Sequence, residues 1–286
     1  MRNAQCAGCS YHAASKQYQA DRSQRESPAA LPNGHFVIAL DPVVDEAVDA
    51  ALVLCEQGQI DQAWARVTRL LQAHPKNHSV CYAMGVLHGL RNEFKEAIKW
   101  LDKAVTIYPY FVEAWFNKGL SHQEEHQLAE AVHAFRQVVA LGDPNDVPAQ
   151  KAQQRIDQWA TASLDINGVD LDSYLEAQAI FDQSYVLMEQ GKWSDALAGF
   201  RASAEKHDRN APVHGNLGLC LATLGHKAQA LAELDRALEI DPQYQPAMAN
   251  RAVFEQMEEG IPLTDAKFVR TDYGKQRYLA SLNSKP

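Results

Sequence analysis

The chain has 286 residues, of which 46% are hydrophobic and 22% are charged, and its formal net charge at pH 7 is −9. This composition predicts a folded chain of one or two domains, and the negative charge argues against binding along a nucleic-acid backbone, which needs clustered lysine and arginine. The absence of a long apolar run excludes a membrane-spanning helix, and five scattered cysteines with a polar N-terminus favour a reducing, cytoplasmic location.

Residues 1–40 are predicted to be a flexible N-terminal segment and linker. They contain Cys6, Cys9 and His12, and Cys-x2-Cys is a common half of a zinc site. A structural zinc site needs four ligands, and His35 is the only other cysteine or histidine before residue 41. The surrounding residues distantly resemble the SEC-C zinc motif, although the cysteine spacing is wider by one and the second ligand pair is missing. We therefore expect no bound metal and no cofactor.

Asp41 and Pro42 predict the start of the first helix, with an N-cap followed by proline. From there to residue 143 one pattern returns three times at 34-residue intervals, and it returns twice between residues 177 and 257. A small residue recurs in each copy, as Ala63, Ala97, Ala131, Ala196 and Ala230. A shared turn position holds Gly58, Asn92, His126, Gly191 and Gly225. Glycine and asparagine there suit the left-handed residue that ends a helix, so each copy is predicted to be a helix–turn–helix hairpin.

The motifs of these copies resemble those of the tetratricopeptide repeat (TPR) family over residues 44–143 and 177–257. The second copy reads Cys81-x2-Met84-Gly85-x2-His88, then Ala97-x3-Leu101 and Pro109, and the fifth reads His214-x2-Leu217-Gly218-x2-Leu221, then Ala230-x3-Leu234 and Pro242. The resemblance implies an all-α solenoid of about five repeats, in which the first (A) helices line a concave side and a second (B) helix follows each. Glycines of the A helices are expected to face the recurring alanines of the B helices, because small residues let helix axes approach closely.

The repeats are predicted to form two blocks with capping helices. The interval from Ala131 to Ala196 is 65 residues, so the register slips by three at this join. The predicted limits are 1–40 for the N-terminal segment, 41–160 for three repeats with a capping helix at 147–160, 161–172 for a linker, 173–260 for two repeats with a capping helix, and 261–286 for a basic tail. The linker is expected to be a loop with a turn at Asn167-Gly168.

The sequence points to binding rather than to catalysis. It contains no phosphate-binding glycine loop, no His-Glu-x2-His and no nucleophile elbow, so no enzyme is predicted. The thiols of Cys55, Cys81 and Cys220 are expected to be structural groups in A helices. The resemblance implies a peptide-binding concave surface, whose candidate residues here are Asp49, Tyr82, Phe116, Asn117, Phe181, Asp182, Tyr185, Asn216 and Asn250.

Two properties of the concave positions indicate the kind of partner. Asn117, Asn216 and Asn250 share one repeat position, where an amide can bond both the N–H and the C=O groups of an extended peptide. Several concave positions carry carboxylates and none carries lysine or arginine, so the basic clamp that holds chaperone C-termini in this family is not expected. The expected partner is a protein or peptide that is neutral or basic and has apolar anchors.

The sequence thus predicts a non-enzymatic scaffold or adaptor that binds a peptide segment in its groove. Two alternatives stay open: a structural or self-assembling solenoid acting through its outer face or tail, and a regulatory subunit of an enzyme or secretion complex. From Thr264 onward the chain carries five basic and two acidic residues, with Phe268, Tyr273 and Tyr278 among them. This tail is a candidate occupant of the groove, in its own chain or in a neighbour, and the alternative is that it is solvated.

Overall fold

The computed structural model of the protein describes residues 41–264. Within this range the secondary structure consists of twelve α-helices and one short π-helical turn, without a strand. This confirms the predicted all-α fold class. The chain divides into two compact units, the first ending at Asp157 and the second beginning at Gln158. The zinc candidates Cys6, Cys9 and His12 and the tail beyond Thr264 lie outside the described residues.

The first unit contains three hairpins, in each of which an A helix is followed by its B helix. They are α1 (Pro42–Glu56) with α2 (Ile60–Ala73), α3 (His78–Leu90) with α4 (Phe94–Ile107), and α5 (Val112–Glu124) with α6 (Leu128–Leu141). A seventh helix, α7 (Val147–Ala162), begins in this unit at the place predicted for a capping helix.

Polar N-caps set the starts of two of these A helices. The Asp41 carboxylate accepts a hydrogen bond from the Val44 backbone N–H at 3.3 Å, as its position before Pro42 predicts. Asn77 caps α3 in the same way, with its side-chain oxygen 3.1 Å from the Val80 nitrogen. Both bonds satisfy backbone donors that have no partner within the first turn of a helix.

The turn after the A helix is the same in all five repeats. Its central residue has a positive φ, and the residues concerned are Gly58 (75°), Asn92 (61°), His126 (59°), Gly191 (74°) and Gly225 (88°). The next residue then donates a hydrogen bond back to the helix, as the Gln127 N–H does to the His122 carbonyl at 2.9 Å. The shared turn position predicted from the sequence is thereby confirmed.

The helices of each hairpin approach closely where both carry small residues. The recurring alanines have no exposed surface, and they are Ala63, Ala97, Ala131, Ala196 and Ala230. A Cβ added to Gly85 would lie 2.6 Å from Leu101 Cγ, and one added to Gly119 would lie 2.8 Å from the Phe135 ring. A larger residue at either glycine would therefore push the A and B helices apart. The predicted glycine–alanine approach is present where the added Cβ of Gly218 would lie 3.0 Å from the Ala230 carbonyl oxygen, whereas Gly119 faces Phe135 and not Ala131.

The second unit contains two hairpins and a terminal helix after a π-helical turn (Ser163–Asn167). The hairpins are α8 (Leu171–Glu189) with α9 (Trp193–Lys206) and α10 (Ala211–Thr223) with α11 (Lys227–Ile240), and the terminal helix is α12 (Gln245–Phe254). Phe181, Phe200, Leu234 and Phe254 are fully buried in one hydrophobic core that joins all of these helices. This unit therefore has a core of its own.

The predicted loop at 161–172 is wrong except at residues 168–170, because helical segments cover residues 161–167 and α8 begins at Leu171. Helix α7 continues to Ala162, and residues Ser163–Asn167 form the π-helical turn before Gly168 takes a φ of 75°. The Ser163 hydroxyl donates to the Val169 carbonyl at 2.9 Å, which holds this turn closed. The Asn-Gly pair does mark a change of direction, but it ends a helical segment instead of lying in a loop. The limits of the two repeat blocks stay a prediction.

Candidate functional site

Hydrogen bonds between equivalent or neighbouring repeat positions join successive A helices of the first unit. The Ser79 hydroxyl donates to Asp45 Oδ1 at 2.5 Å, linking α3 to α1 at the same position of two repeats. The Asn117 amide donates to the Tyr82 hydroxyl at 3.1 Å, linking α5 to α3. Two of the predicted site residues are therefore brought into direct contact.

The predicted aromatic anchors of the first unit are nearly fully buried. Tyr82 is 3% exposed, and its ring centroid lies 4.8 Å from that of Phe111. Phe116 is 2% exposed and packs edge-to-face on Phe135 of its own B helix, with centroids 5.6 Å apart. Asp49 is half-buried. The sequence pattern places these residues on A helices correctly, whereas their contact with a peptide stays a prediction.

In the second unit the predicted residues fall into a buried and an exposed set. Phe181 is 1% exposed and contacts Phe200 edge-to-face, with centroids 5.2 Å apart. Asp182 is exposed, Tyr185 is half-buried, and Val186 is 50% exposed. Glu189 is also exposed. Asp182, Tyr185, Val186 and Glu189 are spaced at i, i+3, i+4 and i+7, so they lie on one face of α8. We call Asp182, Tyr185, Val186 and Glu189 the α8 open face.

A polar residue recurs across the A helices of the second unit. Asp182 of α8, Asn216 of α10 and Asn250 of α12 are each 34 residues apart and so occupy one repeat position. Asn216 and Asn250 are 1% and 2% exposed, and Asp182 is exposed. We call these three residues the polar row. Asn117 holds the same repeat position in the first unit.

The cysteine thiols have the environment of structural groups. Burial raises the pKa of Cys55 to about 11 and that of Cys220 to about 12, and it also raises the pKa of Cys81. All three thiols therefore stay protonated near neutral pH. Since the thiolate is the reactive form, they are poor nucleophiles, in line with the role expected from the sequence.

One charged cluster, around His214, was not predicted from the sequence. Its Nδ1 lies 2.7 Å from Glu233 Oε2 and its Nε2 lies 3.2 Å from Asp208 Oδ1, while Arg236 binds the other Asp208 oxygen at 2.6 Å. Burial disfavours the imidazolium, but it is outweighed by the hydrogen bonds to the Glu233 carboxylate and to the Asp208 backbone carbonyl and by the charges of both carboxylates, so the pKa of His214 is raised. His122 has the opposite shift, because burial lowers its pKa despite a hydrogen bond with Gln127. The cluster was missed because its members lie on three separate elements.

Two further properties bear on the kind of site. Among residues 41–264 no three histidine, cysteine or acidic side chains are grouped as a metal site. In the same part of the chain no helix combines the length and the apolar character that crossing a membrane requires. The zinc half-site and the cytoplasmic location stay predictions.

Comparisons with known proteins agree with the repeat geometry. Models of the tetratricopeptide repeat match residues 48–110, 112–141 and 181–244. Human tetratricopeptide repeat protein 6 is 25% identical over 188 residues, which are 61% of this chain and 34% of that protein, so this chain spans about a third of its length. An uncharacterised protein of Methanocaldococcus jannaschii is 30% identical over 60 residues, covering 21% of this chain and 70% of that one.

Solved structures similar to this chain include the yeast Sti1 TPR2AB domain in complex with pHSP90. Its sequence identity is 16% and its TM-score 0.38, and the match covers 75% of this chain and 83% of that one. The repeat matches together extend over more than half of the sequence, and each falls on hairpins that the structure contains. The chain therefore belongs to the tetratricopeptide repeat family.

Proposed function

We propose that this chain is a non-enzymatic scaffold that holds a segment of a partner protein on the A helices of its repeats. Repeats of this family build extended surfaces for protein interaction, which supports the general role. The observation that carries the finer proposal is the α8 open face, on which the exposed carboxylates of Asp182 and Glu189 flank Tyr185 and the half-exposed Val186. Of the polar row only Asp182 is accessible to a partner peptide, because Asn216 and Asn250 are almost completely buried.

The charge of α8 favours a neutral or basic partner over an acidic one. The helix contains Asp172, Glu176, Asp182 and Glu189 and no lysine or arginine. On the α8 open face, Tyr185 and Val186 lie between two exposed carboxylates. Apolar anchors of the partner would bury surface against these two side chains, while its basic groups would contact the carboxylates.

The experiment compares peptides that share apolar anchors and differ in charge. Three labelled peptides carry lysine, glutamine or glutamate at all other positions, and their affinities for the full chain are measured by fluorescence anisotropy. We expect the lysine peptide to bind at least about fivefold more tightly than the glutamate peptide, with the difference shrinking as salt is added. Equal affinities for the three peptides would contradict the proposal.

The variant Asp182→Lys tests whether the preference arises at the α8 open face. It should abolish the preference for the lysine peptide. The matched control is Glu205→Lys, which makes the same change of charge at an exposed position of the B helix α9. This control should leave the order of the three affinities unchanged.

A second candidate function is self-assembly, which one cavity in the first unit favours. A surface cavity of about 480 Å³ lies against the first hairpin, lined by Ala47, Ala50, Arg66, Arg69 and Leu70. One repeat later, Cys81 and Met84 hold the positions of Ala47 and Ala50 and are 0% and 5% exposed within the stacked hairpins. The cavity is thus the surface on which a preceding hairpin would pack, and a second copy of the chain can supply one.

Light scattering after size-exclusion chromatography tests this second candidate. If copies associate through the cavity, the mass of the full chain should rise above that of a monomer with concentration. Ala50→Glu should restore the monomer, because it places a carboxylate on an apolar contact surface. A monomer at every concentration would rule out this function.

A further inference from the structure

The α8 open face combines exposed carboxylates with exposed apolar area. Asp182 and Glu189 are exposed, and Val186 retains 50% of its surface. The face therefore matches a segment that carries both basic and aromatic side chains.

After α12 the chain runs back to α10, an A helix of the second unit. The Gly260 N–H donates to the Gly225 carbonyl at 2.8 Å, and the Leu263 N–H donates to the Ala222 carbonyl at 3.1 Å. The Lys227 ammonium group also holds the chain just after α12, because it donates to the backbone carbonyls of Glu255 and Met257 at 2.7 Å and 2.6 Å. Since Ala222 belongs to α10, the described chain ends beside an A helix of this unit.

The sequence that follows Thr264 has the complementary chemistry. Residues 265–286 carry five basic and two acidic residues, and the basic ones are Lys267, Arg270, Lys275, Arg277 and Lys285. Phe268, Tyr273 and Tyr278 lie among them. Aromatic side chains bury large areas and contribute most to peptide affinity, and the basic ones suit a surface rich in carboxylates.

The segment starts only two helices away from α8, because α10 packs on α9 and α9 packs on α8. A fully extended chain of 22 residues spans up to about 70 Å, which is more than twice the length of about 28 Å of the nineteen-residue helix α8. A segment tethered this closely has an effective concentration on the order of millimolar, so even a weak contact is populated.

We propose that residues 265–286 dock on the α8 open face of their own chain and compete there with a partner peptide. This inference rests on the proposed function, because the same face would bind the partner. The tail then limits access, and a partner needs either a higher affinity than the tethered segment or a signal that lowers the positive charge of the tail.

Limited trypsin digestion of the full chain tests this docking, because Lys267, Arg270, Lys275 and Arg277 are themselves cleavage sites. The release of tail fragments is followed by mass spectrometry and compared with cleavage of a free peptide of residues 264–286. We expect the tail of the intact chain to be cut at least about tenfold more slowly than the free peptide, since cleavage tracks the undocked population. High salt should bring the two rates together.

The double variant Asp182→Lys/Glu189→Lys should raise tail cleavage to the rate of the free peptide, whereas Glu205→Lys should leave it slow. Circular dichroism of each variant checks that the helices are retained, and the high-salt measurement on the unmodified chain gives an answer even where a variant does not fold. The proposal would be overturned if the tail of the unmodified chain were cut as fast as the free peptide. It would also be overturned if Glu205→Lys raised tail cleavage as much as the double variant does. Protection that appears only at high protein concentration would also overturn it, because the occupant would then be a second copy.

The docking of the tail and the proposed scaffold function can fail independently, and the two experiments distinguish these cases. If the tail is unprotected but the lysine peptide binds in trans, the docking proposal fails and the scaffold function stands. If the tail is protected but no peptide binds after residues 265–286 are deleted, the docking stands and the proposed function fails.

Discussion

The two units contain the same aromatic pair on either side of the register slip. Phe116 and Phe135 in the first unit have ring centroids 5.6 Å apart, and Phe181 and Phe200 in the second have centroids 5.2 Å apart. Both pairs have an interplanar angle of 62°. The hairpin interior therefore keeps its geometry although the interval between the repeats has changed.

The residue next to this pair differs between the units. Asn117 is fully buried and donates to Tyr82, whereas its counterpart Asp182 is exposed and carries a charge. The comparison teaches that the packing of a hairpin keeps the aromatic position the same in both units, while the neighbouring position is buried in one unit and exposed in the other.

Truncating the inner ring of each aromatic pair should have the largest effect and should test their equivalence. Phe135→Ala and Phe200→Ala should each lower the free energy of unfolding by about 3–5 kcal/mol, because both leave a cavity in a closed core. Denaturant unfolding measures this, and Tyr110→Ala, at a residue that is 45% exposed, is the control. If only one of the two variants lost stability, the two aromatic pairs would differ in packing although their ring geometry is the same.

Overpacking the helix crossing should have the next largest effect and compares the units at a second place. Ala97→Leu in the first unit and Ala230→Leu in the second should each destabilise by about 1–3 kcal/mol, because neither alanine has room for a larger side chain. Thermal unfolding is the measurement, and Ala129→Leu at an exposed position of α6 is the matched control. If both variants melted like the parent, these alanines would not be contact points of the two helices.

The pH dependence of stability should sharpen the contrast between His214 and His122. A raised pKa means that His214 stabilises the fold at pH values below its ordinary pKa, and that this contribution is lost as the pH rises through the value in the folded state. His214→Gln should therefore cost about 1–3 kcal/mol at pH 6 and less at pH 8, since it removes hydrogen bonds of a charged group.

His122 should show the reverse sign. Its pKa is lowered by burial, so the unfolded chain takes up the proton first and stability falls as the pH drops. His122→Gln should reduce this loss at acid pH, and chemical unfolding at a series of pH values measures both variants. If the two variants had the same pH profile, the opposite shifts of the two histidines would be refuted.

Exchanging the residue beside the aromatic pair should have the smallest effect on stability. Asp182→Asn makes the second unit resemble the first at this position, and it should change the free energy of unfolding by no more than about 0.5 kcal/mol because the site is exposed. The preference for the lysine peptide should nevertheless weaken in the anisotropy assay. A large loss of stability would show that Asp182 has a structural role like that of Asn117.

Local signals explain what could be predicted from the sequence. A turn residue such as Gly58 and a small residue such as Ala97 are constrained by contacts within one hairpin, and these recur every 34 residues, so the repeats and the all-α fold were predictable. The segment 163–167 was not, because an Asn-Gly pair ends a helical turn as readily as it forms a loop.

The candidate site was predictable only in part. Repeat positions place Tyr82 and Phe181 on A helices, but periodicity does not tell how much of each ring its neighbours cover. That coverage comes from contacts between residues far apart in sequence, such as the bond from Asn117 to Tyr82. The His214 cluster depends in the same way on Asp208 and Glu233, which only the folded chain brings together.

The bond between Ser79 and Asp45 has a mechanical consequence. Because it joins the same position of two successive hairpins, it gives way only when a whole hairpin leaves its neighbour. A chain pulled from its N-terminus should then release the first hairpin in a single step, which adds about 110 Å of contour length. A single-molecule force trace would resolve this step.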